Sequence, residues 1–253
     1  MTADPGMKAM PTILEPEFAP LAAALLRDFY TATRSNGQPW FTGARFETIG
    51  GQWNDPANTD RFTAGDVVAV SCLSVRLRGT AAIRILEHQA DRIGELLAAM
   101  PRSGVSLWEV PESEIGPKSA ALELWWLLRG GLDGIGRTTA SKLMARKRAD
   151  LIPIYDGVVG SALGLPNANG HWEAMRHLML TSVDGSPLHQ RLGAMADAVG
   201  LSALVTPLRV FDVLVWYAYN PKSNVKARAQ GFADELSTSG VLSRPCTGRR
   251  RGD

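Results

Sequence analysis

The sequence predicts an all-α protein, and three observations predict it. Apolar residues recur at helical spacing in one segment after another. Two segments open on helix-start chemistry, Thr63-Ala64-Gly65-Asp66 and Thr206-Pro207. No alternating strand pattern extends beyond a few residues, and no repeat is present. The 253 residues suit one large domain or two small ones, and 45% apolar residues supply a sizeable core. A formal net charge of +2 excludes a generally basic coat for nucleic acid, so any such site must be a local patch. Cys72 and Cys246 lie far apart, with neither zinc spacing nor a disulfide framework. The four histidines add no paired spacing, so no metal site is expected. No apolar run reaches transmembrane length, and Met1 to Met10 lacks a signal-peptide core; a cytoplasmic location is expected, away from membranes.

Taken in order, residues 1–16 hold Pro5, Pro11 and Pro16 and are expected to form a flexible leader. Leu21, Leu25, Leu26 and Phe29 predict a helix over about 19–33. Residues 35–62 are loop-like and rich in glycine, yet carry Trp40, Phe41, Phe46, Trp53 and Phe62. Such a loop packs over a core or serves recognition, and packing is favoured. Thr63 caps a helix to about Val75 that is apolar nearly all round, hence expected to be buried, with Cys72 as a core residue. One amphipathic helix is expected over 81–100, closed by Pro101. Residues 102–117 connect it to the helix with the Trp125-Trp126 pair, about 120–128. Further helices are expected at about 138–147, 170–181, 187–199, 206–219 and 222–238. The domain organisation is therefore a leader (1–16), a helical region with an aromatic loop (17–115), a second helical region (116–238) and a disordered basic tail (239–253). The two regions suggest two lobes with a cleft between.

The stretch with the clearest chemistry is Leu132-Asp133-Gly134-Ile135-Gly136-Arg137-Thr138-Thr139-Ala140. Two glycines bracket an apolar plug between two predicted helices, which is the composition of a tight helix–helix hairpin. The amides of Gly136, Arg137 and Thr138 then start a helix, where unpaired N–H groups and the helix dipole favour an anion. Lys142, Arg146, Lys147 and Arg148 make that helix basic. Its simplest use is a phosphate clamp that does not read sequence. An ordinary helix–helix turn with a solvated basic end stays open as the bland alternative.

The pattern Leu132-x-Gly134-Ile135-Gly136-x-x-Thr139-Ala140 resembles the helix-hairpin-helix of the DNA glycosylase superfamily named for that hairpin and a following Gly/Pro…Asp signature. Here Pro153-Ile154-Tyr155-Asp156 follows, with Asp156 twenty residues after Gly136 and Val159 three beyond it. The resemblance covers about residues 118–165. The whole chain is also similar to an uncharacterised bacterial family, which implies no function. The superfamily resemblance implies a helix-hairpin-helix DNA-glycosylase-like helical bundle whose partner is double-stranded DNA, held by its phosphate backbone. Gly134, Gly136, Arg137, Thr138 and Thr139 would hold a phosphate, supported by Lys142 and Arg146. Asp156 would be the catalytic carboxylate, stabilising a cationic sugar or orienting water. Tyr155, Trp125 and Trp126 would be candidates for the wall of a pocket that takes a flipped base.

The departures from the pattern sharpen this. Members that also cut the backbone use a hairpin lysine; Thr138 stands there, so a monofunctional base-excision N-glycosylase is implied. No iron–sulfur cluster is expected, because only Cys246 lies in the downstream region; a monovalent cation at the hairpin would be the one ion compatible with the family. Asp133 replaces the usual proline and puts an acid beside the clamp. Two other functions remain open: a non-catalytic DNA-binding protein that keeps the hairpin, and a helical protein with no nucleic-acid role. Asp156 is also a good N-cap for the segment that follows, a role compatible with catalysis.

Overall fold

The structure, a computed structural model, describes residues 10–165 and 167–242. The expected disordered tail lies, from residue 243 on, outside the described residues, as does Cys246. The described residues are mostly helical, with eleven α-helices and one two-stranded hairpin. None of these helices is long and apolar enough to cross a membrane.

Of the expected flexible leader, residues 1–9 lie outside the described residues, and residues 10–16 are folded against the core. Thr12–Leu14 is a 3₁₀ turn, and Ile13 and Leu14 are buried. The prolines there shape a turn, while two large apolar side chains hold it in the core. Helix α1 (Ala19–Thr31) follows, burying Leu21, Leu25, Leu26 and Phe29. Residues 35–62 contain only 3₁₀ turns, and three of the loop's aromatics, Phe41, Phe46 and Phe62, are buried.

Helix α2 (Ala64–Ser71) begins with the predicted capping box: Thr63 Oγ1 accepts from the Asp66 N–H (3.3 Å), and Asp66 Oδ2 accepts from the Thr63 N–H (2.8 Å). It ends earlier than expected and is not buried all round. Val68 is 47% exposed, because α2 packs by one face on a single long neighbour. The expected helix over 81–100 is broken into α3 (Gly79–Ile83), a π-helical turn (Arg84–His88) and α4 (Ala90–Ala99). The wide turn carries Arg84, which donates to the carbonyls of Leu127 (3.1 Å) and Leu128 (2.8 Å). Those carbonyls end the next helix, α5 (Ala120–Arg129), and so gain the partners a helix end lacks.

Then come α6 (Arg137–Lys147), α7 (Gly157–Leu163), α8 (His171–Leu180), α9 (Leu188–Ala198), α10 (Pro207–Tyr219) and α11 (Ser223–Thr238). Thr206 caps α10 through the Arg209 N–H (3.3 Å), with Pro207 at the first helical position. Between α8 and α9, β1 (Ser182–Val183) pairs with β2 (Ser186–Pro187). Asp184 and Gly185, with φ of 53° and 81°, make the tight turn. One hydrophobic cluster runs from Ile13 to Leu242 and draws on both sides of residue 115. Helix α6 crosses its middle, and every residue from Thr139 to Arg148 is buried.

Candidate active site and nucleic-acid interface

The hairpin between α5 and α6 is made by backbone signs that few residues adopt. Gly134 has φ 97°, and Leu132, 97% exposed, has φ 51°. Ile135 is buried as the plug between the helices. Gly136 is the N-cap of α6; it has no side chain to cap with, and both it and Arg137 are exposed. The first amides of α6 therefore lack a side-chain cap. Asp133 does not spoil this surface. Arg84 Nε donates to it at 2.7 Å and holds its carboxyl below the usual carboxylate range. Arg78 lies against Gly134 and adds an exposed cation that the hairpin motif does not include: a Cβ there would sit 3.4 Å from Arg78 Nε.

The basic helix divides in two. Its far end faces inward, contrary to the expectation that Arg146 supports a phosphate. Arg146 is 1% exposed; it pairs with Asp66 (3.1 Å) and donates to the carbonyls of Phe46 (2.6 Å), Ile49 (3.3 Å) and Gly51. Lys147 pairs with Asp66 (2.5 Å) and donates to the Asn58 carbonyl (3.0 Å). Arg148 pairs with Asp60 and donates to the carbonyls of Pro101 and Thr59. These cations fasten the glycine-rich loop 46–60, whose carbonyls have no sheet or helix to pair with. Thr139 is buried too, so only its backbone stays near the hairpin surface.

Lys142 is also turned inward, so it is no surface clamp. It lies one turn after Thr138, and both line a cavity of about 390 Å³. Its Nζ donates to the Leu73 carbonyl (2.8 Å); burial lowers its pKa, against the pull of Asp156 and Asp212. Asp156 lines the same cavity as N-cap of α7. Its Oδ1 accepts from the N–H groups of Val158 (2.9 Å) and Val159 (3.0 Å). Among the described residues Oδ2 accepts no hydrogen bond, so capping leaves half the carboxylate free. Ser141 ties α6 to the segment that delivers Asp156: its Oγ accepts from the Tyr155 N–H at 3.0 Å. That link fixes Asp156 relative to Thr138 and Lys142.

The other wall is α10, a helix the sequence predicts but to whose charged residues it assigns no role. Asp212 and Arg209 are buried charges on an otherwise apolar helix, paired at i,i+3. Arg209 also pairs with Glu47 (2.6 Å) and donates to the Gly43 carbonyl (2.9 Å). Burial pushes the Asp212 carboxyl up to about 6, against the pull of Arg209 and with a further push from Asp156. Phe29, Trp40, Phe41 and Trp216 supply the cavity's aromatic wall. Cys72 stands at its edge, half-buried rather than in the core. Arg34 and Lys222 are exposed at its mouth.

The expected pocket aromatics are elsewhere. Trp125 is buried against Trp172, with ring centroids 5.8 Å apart. Trp126 is 57% exposed beneath Arg129. Tyr155 is buried, its hydroxyl donating to the Leu165 carbonyl (3.2 Å), with Arg137 over its ring. The helical positions of the two tryptophans point them off α5 rather than toward Asp156. Among the described residues no group of three or more His, Cys, Asp or Glu side chains converges to hold a metal ion.

The sequence pattern of DUF6308, a family of unknown function, matches residues 22–219. No curated protein and no solved structure gives a significant match. The matched span contains the hairpin, Asp156 and the Arg209–Asp212 pair.

Proposed function

We propose, from the premise that the chain belongs to the DUF6308 family, that it is a monofunctional DNA N-glycosylase of the helix-hairpin-helix type. In this reading the exposed start of α6 holds a backbone phosphate through the amides that follow Gly136, with Arg137 and Arg78 beside it. The target nucleotide turns out of the duplex into the cavity lined by Thr138, Lys142, Asp156 and Asp212. Asp156 stabilises the cationic sugar as the base leaves, or orients the water that replaces it.

The single observation that carries the reading is the shared cavity. A helix that opens on an uncapped, exposed hairpin also lines, through Thr138 and Lys142, the cavity that holds Asp156. An N-cap with no other role needs no cavity in front of it. The aromatic wall suits a flat ring, since stacking on such side chains tolerates any base.

The test is a base-release screen on duplexes carrying damaged or modified bases, with the wild-type protein beside Asp156→Asn. Base release that falls at least about 100-fold in the variant is expected, since a positioned acid–base group contributes about 10²–10⁴-fold. Release by neither protein, with salt-sensitive DNA binding intact, replaces the enzyme with a binding module. Absence of duplex binding at low salt removes both.

A further inference from the structure

We propose that Asp212 is the proton donor of this site, the acid that protonates the departing base while Asp156 attends to the sugar. The proposal rests on the base-releasing reading above and adds a second catalytic group to it.

Charged groups line the cavity and stand behind its floor. Two buried or half-buried carboxyl groups, Asp156 and Asp212, line the cavity, and a third, Glu47, lies behind Arg209. Two buried cations meet them: Lys142 and Arg209. Arg209 is shared, with Nε on Glu47 and Nη1 on Asp212. Lys142 is attracted by both Asp156 and Asp212. The set is one positive charge short, and in a desolvated place that shortfall is met most cheaply by a proton.

Geometry decides where the proton sits. Asp156 has two amide donors on one oxygen, which suit a carboxylate. Glu47 has Arg209 at 2.6 Å and the Tyr30 hydroxyl at 3.3 Å on the same oxygen. Asp212 receives only Arg209, on Oδ2; among the described residues its Oδ1 accepts no hydrogen bond, and the residue lines the cavity. Each of the three has one oxygen that accepts no hydrogen bond among the described residues, Glu47 Oε2 included. Glu47 does not line the cavity, however, and Asp156 carries the two amide donors, so Asp212 is the member placed to carry a hydrogen and offer it there. The groups facing it are Arg209 on its own helix, Lys142 from α6, Asp156 from α7, and Glu47 and Tyr30 behind Arg209. Burial keeps its carboxyl protonated to a higher pH than usual, the direction an acid needs.

The bond between the sugar carbon and the base nitrogen breaks, and its electron pair goes to the base. The Asp212 carboxyl proton goes to that base. Water adds to the sugar carbon and gives a proton to Asp156. Exchange with solvent then restores both carboxyl groups.

A base that already carries a positive ring needs no proton to leave, and this gives the test. Single-turnover release is measured from duplexes bearing hypoxanthine, which is neutral, or 7-methylguanine, which is cationic. Asp212→Asn is expected to lower hypoxanthine release about 100-fold more than 7-methylguanine release. Asp212→Glu, which keeps an acid, restores most of the difference. Equal effects on the two bases, with wild type active on both, overturn the donor role and leave the glycosylase reading standing. Release of neither base by wild type overturns that reading and this role with it. A carboxyl-carbon NMR titration of the full chain needs no substrate. Asp212 should titrate about pH 6, and lower in Asp156→Asn; titration in the ordinary carboxylate range overturns the proposal however the release assays come out.

Discussion

Arg146→Ala separates the structural use of the basic helix from a nucleic-acid use. Arg146 is buried at 1% exposure, and its guanidinium serves four partners: Asp66 and the carbonyls of Phe46, Ile49 and Gly51. Breaking a buried ion pair from one side costs about 3–5 kcal/mol. The lower figure applies, because Asp66 keeps Lys147 and the Thr63 amide. The Phe46 carbonyl stays behind a buried side chain and loses the one donor it has among the described residues, adding about 1–3 kcal/mol. Gly51 is exposed, so water replaces the guanidinium at its carbonyl at little cost. The sum is about 5 kcal/mol, against a total stability of about 5–15 kcal/mol for a folded domain. At about 2–4 °C per kcal/mol for a chain of this size, the melting temperature falls by about 10–20 °C.

The assay is thermal unfolding followed by circular dichroism, beside Arg146→Lys. Lysine keeps a charge for Asp66 but cannot reach several carbonyls at once, so an intermediate fall is expected. Duplex binding is measured in parallel, at a temperature where the variants are folded. A phosphate-binding Arg146 gives the opposite pattern: melting within about 2 °C of wild type, and a salt dependence of binding reduced by about one phosphate contact. That result refutes the inward geometry of α6.

Three further outcomes follow. His171 is buried with Nε2 on the Ile154 carbonyl (3.3 Å) and Nδ1 unpartnered, and burial lowers its pKa from 6.5 to about 4. The unfolded chain then binds the proton first, so His171's contribution is whole above pH 6.5 and is lost as pH falls toward 4. The loss is about 3 kcal/mol, and urea unfolding of His171→Phe should show a flatter pH profile over that window. Gly136 has φ −91° and nothing near a built Cβ, so Gly136→Ala should cost under about 1 kcal/mol by melting. The same methyl group stands where a phosphate would approach, and duplex binding should weaken about tenfold; unchanged binding removes the clamp. Thr63→Ala should cost about 1 kcal/mol of stability, read by urea unfolding, through loss of the capping box of α2.

How far the sequence shows this structure depends on which physical rule governs each part. The starts of α2 and α10 are written in Thr63-Asp66 and Thr206-Pro207, because capping is a contact between near neighbours. The β1–β2 turn was equally local, in Asp184-Gly185, but strands of two residues are too short to show alternation. The π turn at Arg84–His88 is not legible, since the extra residue keeps the apolar spacing roughly helical. Charge direction was the largest miss. Arg146, Lys147 and Arg148 look like a solvated or phosphate-binding run because periodicity ignores what packs outside a helix. The loop carbonyls that need them belong to residues about ninety to a hundred positions earlier, and those that take Arg148 besides, Leu97 and Pro101, lie about fifty earlier. Arg209 and Asp212 did leave a signal, a charged pair at i,i+3 among Val210, Phe211, Val213 and Leu214. A buried helix keeps such a pair only where a partner exists, and here the partners are Glu47 and the cavity.

The inward turn of the basic helix strengthens the site rather than weakening it. Helix α6 is held at three heights. Its start meets the hairpin, its first two turns carry Thr138, Ser141 and Lys142, and its end anchors loop 46–60 through Arg146, Lys147 and Arg148. The chain just before that loop, Phe41 to Gly43, forms part of the cavity wall, and Gly43 is joined to Arg209 at 2.9 Å. Ser141 fixes the segment that ends in Asp156. Hairpin, aromatic wall and both aspartates are therefore referred to one buried helix whose side chains have little freedom. The proposed glycosylase site, which would present a free carboxylate oxygen and a carboxyl proton to one nucleotide, needs that rigidity, because an error of about 1 Å in such groups is costly. The buried cations are then the support of the site, and in the proposed reading the few exposed groups at the hairpin, Arg137 and Arg78 with the amides after Gly136, are what remains to meet a phosphate.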